Sequence, residues 1–304
     1  MSYTPSWILA FDIARDVANT LRILHVLQMK QFWRTYAKNR AAVLGLSIIV
    51  VLSLVAALAP LITAHDPWEI NFEDKLIPPG SKYPFGTDEF GRDILTRIIY
   101  GSRLSLTIGF VAASMAATFG IVIGSLAGYF GGKTDVVLMR STEMFMVIPT
   151  FFLNLLVIAV FGGSIWNVMT VIGLTSWPAP AKLIRSQFLS LRERGFVEAA
   201  RLVGASDRRI IFRHILPNAI APIIVSASLQ VAGAILTESG LSFLGLGDIH
   251  QVTWGQMLYK ALDYMRKAWW IAAFHGIAIF VTVLSFNLVG DGLNDVLNPR
   301  LKER

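Results

Sequence analysis

Five histidines, 20 acidic side chains and no cysteine are the raw material for chemistry in this 304-residue chain. His25, His65, His214, His250 and His275 are scattered, at no spacing that would wrap a metal ion. The lack of cysteine excludes disulfides and thiolate sites. Asp88, Glu89 and Asp93 cluster, but Arg92 and Arg97 stand among them. Such a mixture reads as a salt-bridged cap rather than a metal site or an acid/base pair. Gly131-Gly132-Lys133-Thr134 imitates the tail of a phosphate-binding loop. That motif needs a glycine where Ala127 stands and a strand before it, so ATP binding by this chain is excluded. Arg140 and Glu143, three apart in an apolar stretch, share a helix face and read as a pair. The pattern offers no catalytic residue and no bound cofactor.

One long polar stretch interrupts the apolar blocks. From Phe196 to Asn218 it reads FVEAARLVGASDRRIIFRHILPN. Phe196 to Val203 is built of good helix formers, and Gly204 ends that run as a left-handed C-terminal glycine does. Ser206 is the expected N-cap of a second helix, with Asp207 in its first turn. Ile210, Ile211 and Ile215 fall to one side of that helix and Arg208, Arg209 and Arg213 to the other. Pro217 is expected to stop it.

The elements that must position this stretch are apolar. The chain is 54% hydrophobic and only 15% charged, well below the quarter charged that soluble domains carry. Runs of about 20 apolar residues span a bilayer. They give six expected transmembrane helices, at about 41–63, 104–132, 135–163, 164–181, 219–237 and 269–290. Residues 1–40 form an N-terminal segment, with an amphipathic helix around Phe11 to Leu24 that can lie on a membrane surface or pack against the protein's own helices. Residues 64–103 form an extracytoplasmic loop and 182–218 a basic cytoplasmic loop. Residues 238–267 leave the membrane, and the short run Leu241–Gly247 reads as a re-entrant turn. Gly120, Gly124 and Gly128, four apart, make a face for close helix packing. Pro149 is placed to kink the third span. With both termini inside, 18 lysines and arginines face the cytoplasm against 8 outside. This bias explains the net charge of +7 without nucleic acid.

Glu198-Ala199-Ala200, then Gly204, then Leu216-Pro217, resembles the EAA motif of ABC importer permeases. The form Arg213-His214-Ile215-Leu216-Pro217-Asn218, with His214 where the general pattern has isoleucine, resembles the peptide-type permeases. So do Gly86 to Asp93, GTDEFGRD, and Leu241 to Gly247, LSFLGLG, followed by Trp254-Gly255. The ending from Phe286 through Asn298-Pro299-Arg300 is similar too.

The resemblance covers about Trp33 to Arg300. It implies an all-α membrane protein of type I ABC importer architecture in the cell membrane. It also implies a second homologous permease, two cytoplasmic ATPases that bind ATP and Mg, and an extracytoplasmic substrate-binding protein. Di- or oligopeptides are the first implied substrate, with oligosaccharides or another small solute as the alternative. An ion-coupled secondary transporter using Arg140 and Glu143, and a membrane scaffold, are readings from other classes. Both lack a role for the EAA stretch.

Overall fold

The computed structural model describes residues 31–297. The expected amphipathic helix near the N-terminus and the tail from Asn298 lie outside them. Among the described residues the chain is helical, with one isolated bridge between Thr87 and Asp93. The helices are α1 Arg40–Ile62, α2 Ile94–Phe130, α3 Gly132–Val147, α4 Thr150–Phe161 and α5 Ile165–Thr175. They continue with α6 Pro178–Arg192, α7 Gly195–Leu202, α8 Asp207–Leu246, α9 Trp254–Ala261 and α10 Trp269–Leu297.

Four of these, α1, α2, α8 and α10, are individually long and apolar enough to cross a bilayer. The pair α3 and α4 qualifies as one span bent by 77°. The bend sits at Ile148-Pro149, where the residue before proline is forced out of the helical region. The fourth expected span does not run through 164–181 as one helix. It stops after α5, because Trp177 and Pro178 open a new helix with proline in its first turn.

Three other boundaries differ from the hydropathy reading. Residues 94–103 belong to α2, not to the loop. Asp93 caps that helix, accepting the Thr96 amide at 2.8 Å. The fifth span extends in both directions, from Asp207 to Leu246, about 60 Å of helix. Pro217 does not stop it. The preceding turn, Ile210–Ile215, is π-helical, and the Leu216 amide reaches back to the Ile211 carbonyl. The wider turn absorbs the amide that proline lacks. A second π turn, Ser242–Leu246, ends the helix at Gly245, where φ is +82°. Leu241–Gly247 is therefore the end of a helix rather than a separate re-entrant turn. The sixth helix likewise runs on to Leu297.

The packing centre is α2. Its Gly120, Gly124 and Gly128 press on the backbone of α6. A β-carbon on Gly120 would lie 2.5 Å from Pro180 Cβ, and one on Gly128 2.6 Å from Phe188 Cβ. One on Gly124 would collide with the Ala181 carbonyl. In lipid, such close approach replaces the hydrophobic drive as the source of helix association. On its other sides α2 meets α8 through Gly109 against Val231 and Ile235. Glu238, fully buried in α8, accepts hydrogen bonds from Ser242 and Thr253 at 2.8 Å and fixes the turn after the helix.

At the N-terminal end of α2, Asp88 binds Arg92 at 2.7 Å and Arg97 at 3.5 Å. Arg97 also donates to the Pro67 carbonyl at 2.6 Å. The acidic cluster is thus the salt-bridged cap that the mixed charges suggested. Nearby, Asp74 accepts from Lys82 at 2.7 Å and from Tyr83 at 2.8 Å. These donors hold its carboxyl below the usual range.

Two expectations follow. Gly124→Val should cost the assembled protein about 2–3 kcal/mol through forced separation of α2 and α6. Gly233→Ala, at a helical position with open space around it, should be neutral or slightly stabilising. Thermal unfolding in detergent separates the two. For Asp74, a depressed carboxyl stabilises the fold above its unfolded value, near pH 4, and loses that contribution as pH falls through the lower folded value. Hydrogen-exchange protection of residues 71–88 should therefore drop below about pH 4, and Asp74→Asn should lower it already at neutral pH.

Candidate coupling site

The short helix α7 sits at the end of the bundle where α2 finishes. Its sequence GFVEAARL divides cleanly between two faces. Val197 and Ala200 are buried against Ile184 and Phe188 of α6 and Ile210, Ile211 and Ile215 of α8. Glu198 and Ala199 face outward, as do Arg201 and the helix's last residue, Leu202. Leu202 is 89% exposed and Val203 83%, an unusual cost for aliphatic side chains on an isolated surface. Glu198 makes no hydrogen bond or ion pair within the described residues.

Gly204 closes the helix. The Ala205 amide bonds the Ala200 carbonyl at 3.0 Å, and the Gly204 amide bonds the Arg201 carbonyl at 2.9 Å. This is a Schellman motif, and it needs a left-handed residue at the glycine, where φ is +76°. Nothing lies within 4 Å of a β-carbon built there. The requirement for glycine is therefore conformational, not steric.

Ser206 takes the N-cap position and Asp207 the first turn, where the sequence rules put them. Ser206 makes no side-chain capping bond. Asp207 accepts from the Tyr129 hydroxyl at 2.6 Å, across 78 residues of sequence. Arg201 lies over the same tyrosine ring, 5.8 Å from its centre. Tyr129 thereby ties the last turn of α2 to both limbs of the EAA loop. The tyrosine was invisible as a site residue in the sequence, because its partner is remote. His214 is half-buried in the π turn, and its carbonyl accepts from the Asn218 side-chain Nδ2 at 2.7 Å. Leu216 packs against the α6–α7 cluster, and Pro217 lies exposed in the first turn after it.

A second tether was also missed. Arg185 of α6 grips Asp135 of α3 with two bonds, at 2.5 and 2.6 Å. The pairing fixes the start of α3 beside the glycine face. Two other features stand apart from the site. Gly131 and Gly132, both with positive φ, form the hinge between α2 and α3, and Lys133 follows in a helix, not after a strand. Arg140 and Glu143 do pair, at 3.4 Å, but their side chains are 74% and 50% exposed. A contact that open is worth at most about 1 kcal/mol. The structure does not bring this pair to the EAA residues, and it assembles no cluster of metal-binding side chains among the described residues.

Close-packed apolar helices of spanning length, with a short outward-facing helix held across one end, define a helical membrane protein. Comparison with known proteins gives the family. Residues 120–303 match the binding-protein-dependent transport system inner membrane component. Residues 28–79 match the N-terminal transmembrane domain of oligopeptide transport permease C. The dipeptide transport system permease protein DppC of Alkalihalophilus pseudofirmus is 41% identical over 90% of both chains. The di/tripeptide permease DppC of Pseudomonas aeruginosa is 38% identical over 90% of this chain and 93% of its own. The glutathione transport permease GsiD of Pectobacterium atrosepticum is 38% identical over 90% and 91%. Among solved structures, a chain of the inward-facing MetNI methionine ABC transporter superposes with a TM-score of 0.53. It is 18% identical and covers 67% of this chain and 97% of its own, which shows a shared fold.

The chain belongs to the binding-protein-dependent transport system inner membrane component family. It is a permease subunit of an ABC transporter. Family membership sets aside both the scaffold and the ion-coupled readings.

The Schellman turn yields a test. Gly204→Val should strain the left-handed position and release α7 from its exit angle. Binding-protein-stimulated ATP hydrolysis by the assembled importer should fall at least tenfold while the chain still inserts. Gly204→Asn, which tolerates the same φ better, should retain most of the activity.

Proposed function

We propose that this chain forms half of the translocation path of a peptide importer and converts closure of two partner ATPases into alternating access. The observation that carries the reading is the 41% identity to a dipeptide permease over 90% of both chains. The geometry of α7 supports it. An eight-residue helix with a free carboxylate and two bare aliphatic side chains is built to be covered by another protein.

In this reading α1, α2, the bent α3–α4 pair, the broken α5–α6 pair, α8 and α10 are six crossings. Both termini and α7 are cytoplasmic, and the membrane is the cell's inner membrane. Glu198 offers its carboxylate to the ATPase, and Ala199 permits close approach. ATP and Mg bind on the ATPases, so the permease itself catalyses nothing. A second, homologous permease completes the path, and an extracytoplasmic binding protein delivers di- or oligopeptides. Movement of α7 passes to α6 through Phe188 and to α8 through the isoleucine triad. The helices then move between two packings that open to opposite sides.

The experiment is reconstitution. Proteoliposomes holding this chain, its sister permease and both ATPases should take up a labelled dipeptide only with ATP and the binding protein present. Omitting this chain should abolish uptake. Purification of the chain without any bound ATPase, in mild detergent with ATP, would sink the proposal. Orientation is read separately. The chain is free of cysteine, so Lys133→Cys, exposed at the start of α3 and away from α7, gives one thiol. It should react with a membrane-impermeant maleimide in inside-out vesicles and stay unlabelled in intact cells.

A further inference from the structure

Between α6, α8 and the end of α10 lies a cavity of about 750 Å³. It sits at the α7 end of the bundle. Arg194, the residue before α7, lines it together with Ser190 and Asn294, and all three are exposed. Gln187 of α6 and Ser226 of α8 are half-buried in its walls. Leu229 lines its inner part, at the place where α8 presses on Gly290 of α10. Polar neighbours on the same helices are satisfied within the protein. Ser186 donates to the Leu183 carbonyl, Arg192 to Gly128 and Gln230 to Ser176. The five polar side chains that line the cavity have no such bond among the described residues, and Arg194 joins no ion pair there.

The cavity runs into the span. Ser226 and Leu229 lie beyond Ala219, where the apolar run of α8 begins, by about 10–15 Å of helix. At that depth a polar side chain facing lipid would be orphaned, and such groups are kept where they line water. An acyl chain in this space would leave Gln187 and Ser226 unpaired, so its natural content is aqueous. Its walls are also the two helices that carry α7, through Phe188 of α6 and the isoleucines of α8. Any movement of α7 therefore changes the width of this space. The lining chemistry is selective. The amides of Gln187 and Asn294 and the hydroxyls of Ser190 and Ser226 each both donate and accept, as a peptide group does. Arg194 is the one charged side chain that lines the cavity among the described residues, and no carboxylate does so. A guanidinium fork matches a carboxylate, and nothing here matches an ammonium group. The volume falls in the range of about 300–1,000 Å³ that small-molecule sites occupy.

We infer that this cavity is an exit site on the α7 side of the translocation path, and that it holds a small peptide by its free carboxylate. Arg194 anchors the carboxylate at the mouth. Gln187, Ser190, Ser226 and Asn294 pair with the peptide group behind it. The amino end points inward along α8 and receives no charged contact from this chain. The inference rests on the peptide-importer reading. It adds which end of the cargo this permease grips, and with which residues.

The test is ligand titration by saturation-transfer NMR on the nucleotide-free importer in nanodiscs, with the binding protein left out. The probes are alanyl-alanine, its C-terminal amide and its N-acetyl form. The wild type should bind the free acid about tenfold more tightly than the amide, the worth of one charge-assisted contact. N-acetylation should change little. Arg194→Gln should erase the difference between acid and amide, and Arg194→Lys should keep most of it, which separates loss of charge from misfolding. Gln187→Leu and Asn294→Leu should weaken acid and amide alike. Arg209→Gln, an exposed arginine at the same end of the bundle but outside the cavity, should leave the preference intact. Equal binding of acid and amide by the wild type would overturn the site, and so would a preference that survives Arg194→Gln. A preference present in the isolated permease but absent from the importer would show that a partner subunit covers Arg194, and would overturn it too. Uptake of alanyl-alanine into proteoliposomes is measured in parallel. Uptake without any acid preference at the permease removes the site and leaves the importer reading standing. Failure to take up any peptide brings down that reading, and the site with it.

Discussion

The close approach of α2 to α6 is the constraint from which the rest of the molecule follows. Three glycines on α2 let two backbones touch where any side chain would hold them apart. That contact sets the height of Ile184 and Phe188, and those two residues form the floor on which α7 rests. Inside a bilayer, apolar side chains gain little by leaving lipid for protein, so packing distance itself carries the stability. A single methyl group at the glycine face would therefore be felt at α7, more than one element away.

Charge is used as a set of long-range ties. Asp135–Arg185, Tyr129–Asp207 and the Asp88–Arg92–Arg97 group each join segments that the apolar packing alone would leave free to slide. Hydrophobic contact is non-directional, whereas these bonds have geometry. The tight pairs gather at the two ends of α2, where the polypeptide meets the membrane borders and chain direction must be fixed. The exposed Arg140–Glu143 pair, which ties nothing together, shows the contrast.

Rigid and yielding parts alternate in a way that suits a moving machine. The EAA helix is stiffened by its Schellman turn and by Tyr129. The helix that follows carries π turns at both ends, around Ile210–Ile215 and Ser242–Leu246, and each offers a place where the hydrogen-bond ladder can shift register at low cost. α7 is thus a stiff element followed by a helix with two places where its ladder can shift. The chain's work is to keep two packings of the same helices within reach of each other.

The sequence by itself determined the class of protein. Low charge and apolar runs of spanning length required a membrane helical fold, because backbone polar groups in lipid must be satisfied within a helix. Gly204 and the glycine face were legible because each depends on local spacing alone, and the EAA stretch through its resemblance to a known motif. The acidic cluster at Asp88 could be read as a cap from its own arginines. Other features required the tertiary structure. Pro217 is a helix breaker by every local rule, yet a π turn carries the helix through it. Asp207 is the first-turn acid that the sequence indicates, but its hydrogen bond from Tyr129, 78 residues away, is not readable there. The fourth apolar run is long enough on paper to span, but Pro178 restarts the helix within it. Hydropathy measures how much apolar chain there is, and local motifs measure how it turns. Neither records which distant residue arrives alongside, and that choice is made only when the helices pack.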